Sequence, residues 1–192
     1  MTTFVLHGGF TSAKNELNAG FYKEFSKYVP NGANILLIYF ARDNNEIPEL
    51  FEQDKSNILE QAENKKFTFI LASPDAFMEQ VKEADVLYMR GGDTDKLLTV
   101  LKQYPDFEKM IRGKVVIGSS AGAYVLAKYY YSGSKGGVYE GLGLLPVRVT
   151  CHYESEIMKR EADKKGVDIL GKYPGNLELI VLKDYEWKTI IF

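Results

Sequence analysis

Val115-Val116-Ile117-Gly118-Ser119-Ser120-Ala121-Gly122-Ala123 passes from three β-branched residues into a cluster of small ones. The apolar run reads as a buried strand, and Ala121 to Tyr131 reads as the helix that follows it. A strand that closes in Gly-x-Ser-x-Gly before a helix is the nucleophile-elbow pattern. In so tight a turn only small residues fit beside the serine, and Gly118 and Gly122 keep Cβ atoms away from it. The Ser120 hydroxyl is then lifted clear of the backbone and faces the first amides of the helix. Those amides lack intrahelical acceptors and carry the positive end of the helix dipole, so an oxyanion can be held there. The same five residues can also form a strand-to-helix turn with no chemistry, so the pattern needs partners elsewhere in the chain.

Working outward, short apolar runs recur upstream, each closed by a polar or glycine-rich turn. Phe4-Val5-Leu6 ends at His7-Gly8-Gly9, Ile35 to Phe40 opens into Ala41-Arg42-Asp43, and Val86 to Met89 ends at Arg90-Gly91-Gly92-Asp93. Phe67 to Leu71 reads as one more strand. Between these runs apolar residues recur at helical spacing, as in Phe21, Tyr22, Phe25 and Tyr28, or Ile47, Leu50, Phe51 and Ile58. Alternating strand and helix with short connections predicts a parallel sheet with helices on both faces. In such sheets the ligand crevice lies beyond the carboxyl ends of the strands, which is where all four turns fall. After the elbow the pattern changes. Ser132 to Gly137 is polar and glycine-rich and reads as a lid or insertion, and Val147 to Cys151 alternates as a strand ending at His152. Glu154 to Lys165 reads as a charged helix, and Leu177–Leu182 with Lys188–Phe192 as a terminal antiparallel strand pair in a hairpin.

The 192 residues, 45% of them hydrophobic, suffice for one core, and one domain over residues 1–192 is expected. With 24 basic and 26 acidic residues the formal charge is -2, and no basic stripe interleaved with aromatics argues for nucleic acid. The single cysteine, Cys151, rules out an intrachain disulfide, and with only His7 and His152 as histidines neither a metal nor a cofactor is expected. No segment reaches the roughly 20 apolar residues of a membrane span, and the first residues lack a basic leader pattern. A cytoplasmic protein with no membrane partner is the expectation.

Serine becomes a nucleophile when a base takes its proton, and histidine is the usual base. Both histidines end strands, so both qualify. An acid should orient the imidazole. Glu154, two residues beyond His152, is the candidate, with Glu140 as the alternative; a glutamate at Glu154 can equally complement a helix N-terminus. Cys151 points away from His152 by strand alternation and reads as a buried hydrophobe. A second oxyanion donor can come from the loop Gly91-Gly92-Asp93-Thr94, where glycine permits close backbone approach and Asp93 can cap the following helix.

Arg90-Gly91-Gly92-Asp93-Thr94 with Leu97-Leu98, then Gly118 to Ala123, then Gly141-Leu142-Gly143-Leu144-Leu145-Pro146 with His152, resembles the peptidase E and cyanophycinase family of serine peptidases. The resemblance implies the flavodoxin-like, class I glutamine amidotransferase-like fold: a three-layer α/β sandwich around a mostly parallel sheet, here a single peptidase domain. It implies Ser120 as nucleophile, His152 as base, and the Gly92 and Ala121 amides as oxyanion hole, with Gly91 and Asp93 toward the substrate. The His152-x-Glu154 spacing looks like that of class I glutamine amidotransferases, which use cysteine where this chain has Ser120. The expected partner is a small peptide, aspartyl dipeptides among the options, with Arg42, Arg90 or Arg160 as guanidiniums for an acidic group. A homodimer is kept as an option. The alternative reading is a catalytically idle relative that serves as a small-molecule binding or interaction module.

Overall fold

The computed structural model describes residues 1–159 and 162–192. The first part of the chain alternates as the pattern predicts. In order it runs β1 (Thr3–His7), α1 (Glu16–Tyr28), β2 (Asn34–Ile38), α2 (Ile47–Glu60), β3 (Thr68–Leu71) and α3 (Phe77–Glu83). It continues with β4 (Val86–Met89), α4 (Thr94–Leu101), α5 (Phe107–Met110), β5 (Val115–Ser119) and α6 (Ala121–Leu126). The remainder supplies β6 (Ala127–Ser132), β7 (Gly137–Glu140), β8 (Leu145–Thr150), α7 (Ala162–Gly171), β9 (Glu178–Val181) and β10 (Trp187–Ile191).

The central sheet has the order β10-β1-β5-β4-β2-β3, parallel throughout except for β10 on the edge. Its four inner strands β1, β5, β4 and β2 are buried on both sides, and successive side chains feed different cores because Cβ atoms alternate across a strand. From β1, Phe4 and Leu6 join one cluster while Val5 joins the other. Likewise Leu36 and Ile38 of β2 part from Ile35 and Leu37, and Leu87 and Met89 of β4 part from Val86 and Tyr88. One cluster is closed by Phe21, Tyr22 and Phe25 of α1 and Ile58 of α2; the other by α3, α4 and α6. This is the three-layer α/β sandwich expected from the sequence.

A second sheet, β7-β6-β8-β9, continues the latter core through Tyr130, Leu145, Val147, Val149 and Ile180. Here the chain departs from its sequence reading. The elbow helix ends at Leu126, because Tyr129, Tyr130 and Tyr131 enter a strand in which Tyr130 stacks between Tyr124 and Tyr139. Ser132 to Gly137 is a tight hairpin turn between β6 and β7, not a lid. Glu154 lies in a turn and α7 begins only at Ala162; Arg160 and Glu161 lie outside the described residues. The final antiparallel pairing exists, yet its partner is β1: Thr3 faces Ile191 and His7 faces Trp187. β9 does not form a hairpin with β10 but lies parallel to β8, with Val147 opposite Glu178 and Thr150 opposite Val181.

That crossover from β8 through α7 to β9 is held by a buried cation. Arg148 on β8 donates to the carbonyls of Leu170, Gly171 and Tyr173 at the end of α7 and to Leu177 O ahead of β9. Terminal helix carbonyls lack intrahelical donors and carry the negative end of the dipole, so a guanidinium satisfies both needs. The consequence is positional: β8 and β9 end side by side.

Candidate active site

β5 lies between β1 and β4, so the turn after it is flanked by the His7–Gly9 turn and the Arg90–Gly92 turn. Ser120 stands at its apex with φ 51° and ψ −107°, a region L residues seldom occupy, and its amide donates to His7 O at 2.9 Å. The turn closes because a Cβ on Gly118 would sit 2.5 Å from Gly122, and one on Gly122 would sit 2.3 Å from Met89 O. Any larger residue at either position would push the helix off the sheet. Ala121 is the first residue of α6, so its N–H has no intrahelical acceptor.

Ser120 Oγ lies 2.9 Å from His152 Nε2, and His152 Nδ1 lies 2.7 Å from Asp184 Oδ1. With a carboxylate at Nδ1, the proton sits on Nδ1 and the Nε2 lone pair faces the serine hydroxyl. The second carboxylate oxygen, Asp184 Oδ2, accepts from Ser155 Oγ at 2.5 Å, and Ser155 Oγ in turn accepts from Met158 N at 3.0 Å. The imidazole is also packed in place: Phe10 meets it edge-on at 4.9 Å, and Gly9 lies so close that a Cβ there would sit 2.1 Å from His152 Cε1. Phe10, Ser120, His152, Glu154 and Tyr185 are five of the eight non-glycine residues with positive φ among those described. Backbone strain of this kind, about 1–3 kcal/mol per residue, gathers at functional sites.

The carboxylate that meets the imidazole is therefore Asp184, and the expectation that Glu154 does so is corrected. Glu154 pairs with Lys183 at 2.8 Å and Lys164 at 3.8 Å, and the Lys183 hydrogen bond holds its carboxyl below the ordinary range. Glu140 closes β7 on the exposed surface. Asp184 escapes the sequence reading because it follows β9, which that reading pairs with β10. It is reached instead through the β8–β9 pairing, extended by Leu182 N to Thr150 O and Tyr153 N to Leu182 O. The available signal is a carboxylate just past a strand end, the same signal that makes both histidines candidates.

His7 has another task. Gly9 N donates to its Nδ1 at 3.0 Å, so the proton sits on Nε2, which donates to Asn18 Oδ1 at 3.1 Å. Asn18 passes this on to Phe10 O and Ala13 O, which orders the loop that carries Phe10. Burial lowers the His7 pKa to about 3. Both ring nitrogens are spent, so His7 cannot serve Ser120. Burial also pushes the Cys151 thiol far above its ordinary range, which fits a packing residue rather than a nucleophile.

A pocket of about 210 Å³ opens in front of this array, lined by Phe10, Ser12, Arg42, Arg90, Gly92 and Ser120 among others. Gly91 and Gly92 border it, whereas Asp93 does not: its carboxylate caps α4 by accepting from Asp95 N at 2.8 Å and Lys96 N at 3.1 Å. Beneath the pocket Arg90 is buried against Asp54, with Ser12 and Gln53 as further acceptors, and Asp54 also accepts from Tyr39 at 2.9 Å. Burial pushes the Asp54 carboxyl up against the pull of this guanidinium. Arg42 donates to Gly91 O at 2.5 Å. Arg160 lies outside the described residues. A larger groove, about 590 Å³, runs between β9 and β10 and is lined by Leu17, Leu179 to Leu182, Trp187, Glu186 and Lys188, with no serine, cysteine or histidine among them. Among the described residues no group of His, Cys, Asp or Glu is placed to hold a metal ion, and no helix is long and apolar enough to cross a membrane.

The family model for peptidase family S51 matches residues 4–191. Among solved structures, a peptidase from an acI-B1 Actinobacterium is 23% identical over 98% of this chain and 83% of its own, with a TM-score of 0.69. A candidate peptidase E protein from Listeria monocytogenes EGD-e is 19% identical over 99% of this chain and 94% of its own, with a TM-score of 0.71. At these identities the likeness is one of fold. No curated protein sequence matches the chain.

Proposed function

Because the chain belongs to peptidase family S51, we propose that it is a serine-type peptidase acting through an acyl-enzyme on Ser120. The observation that carries this reading is the continuous relay Ser120 Oγ, His152 Nε2, His152 Nδ1, Asp184 Oδ1, with bonds of 2.9 and 2.7 Å. As Ser120 Oγ attacks the scissile carbonyl carbon, His152 Nε2 takes the hydroxyl proton and Asp184 steadies the imidazolium. The carbonyl oxygen becomes an oxyanion facing the Gly92 and Ala121 amides. When the C–N bond breaks, His152 returns its proton to the leaving amine. Water then attacks the ester by the same route in reverse, which frees the acid and restores the serine.

The substrate in this reading is a small peptide. A pocket near 210 Å³ is below the roughly 300–1,000 Å³ of drug-sized sites and suits one or two residues. Of the two guanidiniums that line it, Arg90 is paired with buried Asp54, while Arg42 has only the part-exposed Glu46 at 3.5 Å, which favours an acidic side chain or a free carboxyl terminus near Arg42 and makes aspartyl dipeptides the first substrates to try. The deciding experiment labels the protein with a fluorophosphonate and assays aspartyl dipeptides in wild type and Ser120→Ala. Labelling and turnover should vanish in the variant. Turnover that persists in Ser120→Ala refutes the mechanism.

A further inference from the structure

We infer that Arg42 is the positioning residue that sets the orientation of the second oxyanion donor, a role that rests on the reading of Ser120 as nucleophile. The donor in question, the Gly92 N–H, belongs to a peptide unit flanked by two glycines, where the backbone has no side chain to bias it. Such a unit can rotate at little cost. Every described peptide bond is trans, so the Gly91 carbonyl and the Gly92 N–H point in opposite directions from one plane. Whatever holds the carbonyl therefore aims the N–H.

Arg42 holds it. Its Nε donates to Gly91 O at 2.5 Å, a charge-assisted bond and so about twice as strong as a neutral one. The guanidinium is itself anchored, with Nη1 3.5 Å from Glu46 Oε1. The two loops meet because β2 and β4 pair in parallel with Ile38 opposite Met89, and Asp93 N donates to Ala41 O at 2.9 Å to tie their roots. The Gly92 N–H itself has no acceptor among the described residues, so it is unspent, and Gly92 lines the Ser120 pocket. Loss of Arg42 would free the Gly91–Gly92 unit to turn its carbonyl toward the nucleophile, which repels an oxyanion instead of binding it.

A cation at the pocket can also simply bind an acidic substrate, and the two roles separate on neutral substrates. Arg42→Ala and Arg42→Lys would be compared with wild type using an uncharged fluorophosphonate, an uncharged ester and an aspartyl dipeptide, and the Arg42→Ala crystal structure would be determined. The expected result is a loss of about 10²-fold in kcat for the uncharged ester and in phosphonylation rate, with KM nearly unchanged. Arg42→Lys, which keeps a cationic donor, should recover most of it, and the Gly91 carbonyl should be rotated in Arg42→Ala. Unchanged kcat on the uncharged ester with a raised KM for the dipeptide alone would overturn the inference, as would an unrotated Gly91 carbonyl. A wild type that neither labels nor turns over would refute the nucleophile assignment, while the carbonyl in Arg42→Ala still decides what Arg42 does to the backbone.

Discussion

Acid should weaken the fold through His7, by an amount the structure sets. In the folded protein burial keeps this imidazole neutral down to a pKa of about 3, whereas the unfolded chain takes up the proton near the ordinary value of 6.5. Between those values the unfolded state binds more protons, so stability is complete above 6.5 and is lost as pH falls toward 3. The slope is about 1.4 kcal/mol per pH unit, which integrates to about 2 kcal/mol between about pH 7 and about pH 5. The geometry explains why protonation is resisted: Nδ1 must stay an acceptor for Gly9 N, and a proton there would set two donors against each other in a buried site. Urea unfolding of wild type and His7→Asn across this range gives the test. His7→Asn keeps an acceptor toward Gly9 but cannot titrate, so it should be less stable at neutral pH yet show a flatter pH dependence. Parallel curves for the two proteins would refute the reasoning, because the acid sensitivity would then reside elsewhere.

Asp184→Asn should lower kcat by about 10³–10⁴-fold, since an amide no longer holds the imidazole in the tautomer that accepts from Ser120. Glu154→Gln should stay within about twofold of wild type in the same peptide or ester assay, and the reverse ranking would restore Glu154 as the acid. Gly9→Ala, whose Cβ would meet His152 Cε1 at 2.1 Å and whose φ is +125°, should cost about 10²-fold in phosphonylation rate while the far-ultraviolet circular dichroism is kept. Asp54→Ala should destabilise the protein by about 3–5 kcal/mol in urea, because it leaves the Arg90 guanidinium buried without its carboxylate. The paired replacement Asp54→Leu with Arg90→Met should recover most of that loss, and a double variant as unstable as the single one would show that the charge pair is not the cause.

The sequence displayed Ser120 and His152, the proposed nucleophile and base, because both announce themselves locally. Ser120 stands in a five-residue pattern in which a Cβ on Gly118 would meet the turn's own backbone at 2.5 Å, while one on Gly122 would meet Met89 O of β4 at 2.3 Å. His152 was one of only two histidines and ended an alternating strand. The carboxylate that reaches His152 is not legible in the sequence because it is not local. Asp184 lies 32 residues beyond His152, and what joins them is the parallel pairing of β8 with β9, in which neither strand's sequence names its neighbour. Both terminal runs were read as strands, and only the choice of partners was missed. Tyr129 to Tyr131 were misread for a related reason: a helix period and a strand period coincide over so few residues, and stacking of Tyr130 against Tyr124 and Tyr139 decides between them.

What the sequence determined alone is the alternation of elements, the parallel central sheet and the sharp bend at Ser120, because periodicity and the size of glycine act over a few residues. What only the tertiary structure decided is which strand ends meet. Two sheets had to form, with β9 beside β8 and β10 beside β1, before Asp184 reached His152 and Arg42 reached Gly91. Strand partnership is set by the burial of whole faces and by cross-chain contacts such as Arg148 on the end of α7, and those free energies belong to no single stretch of chain.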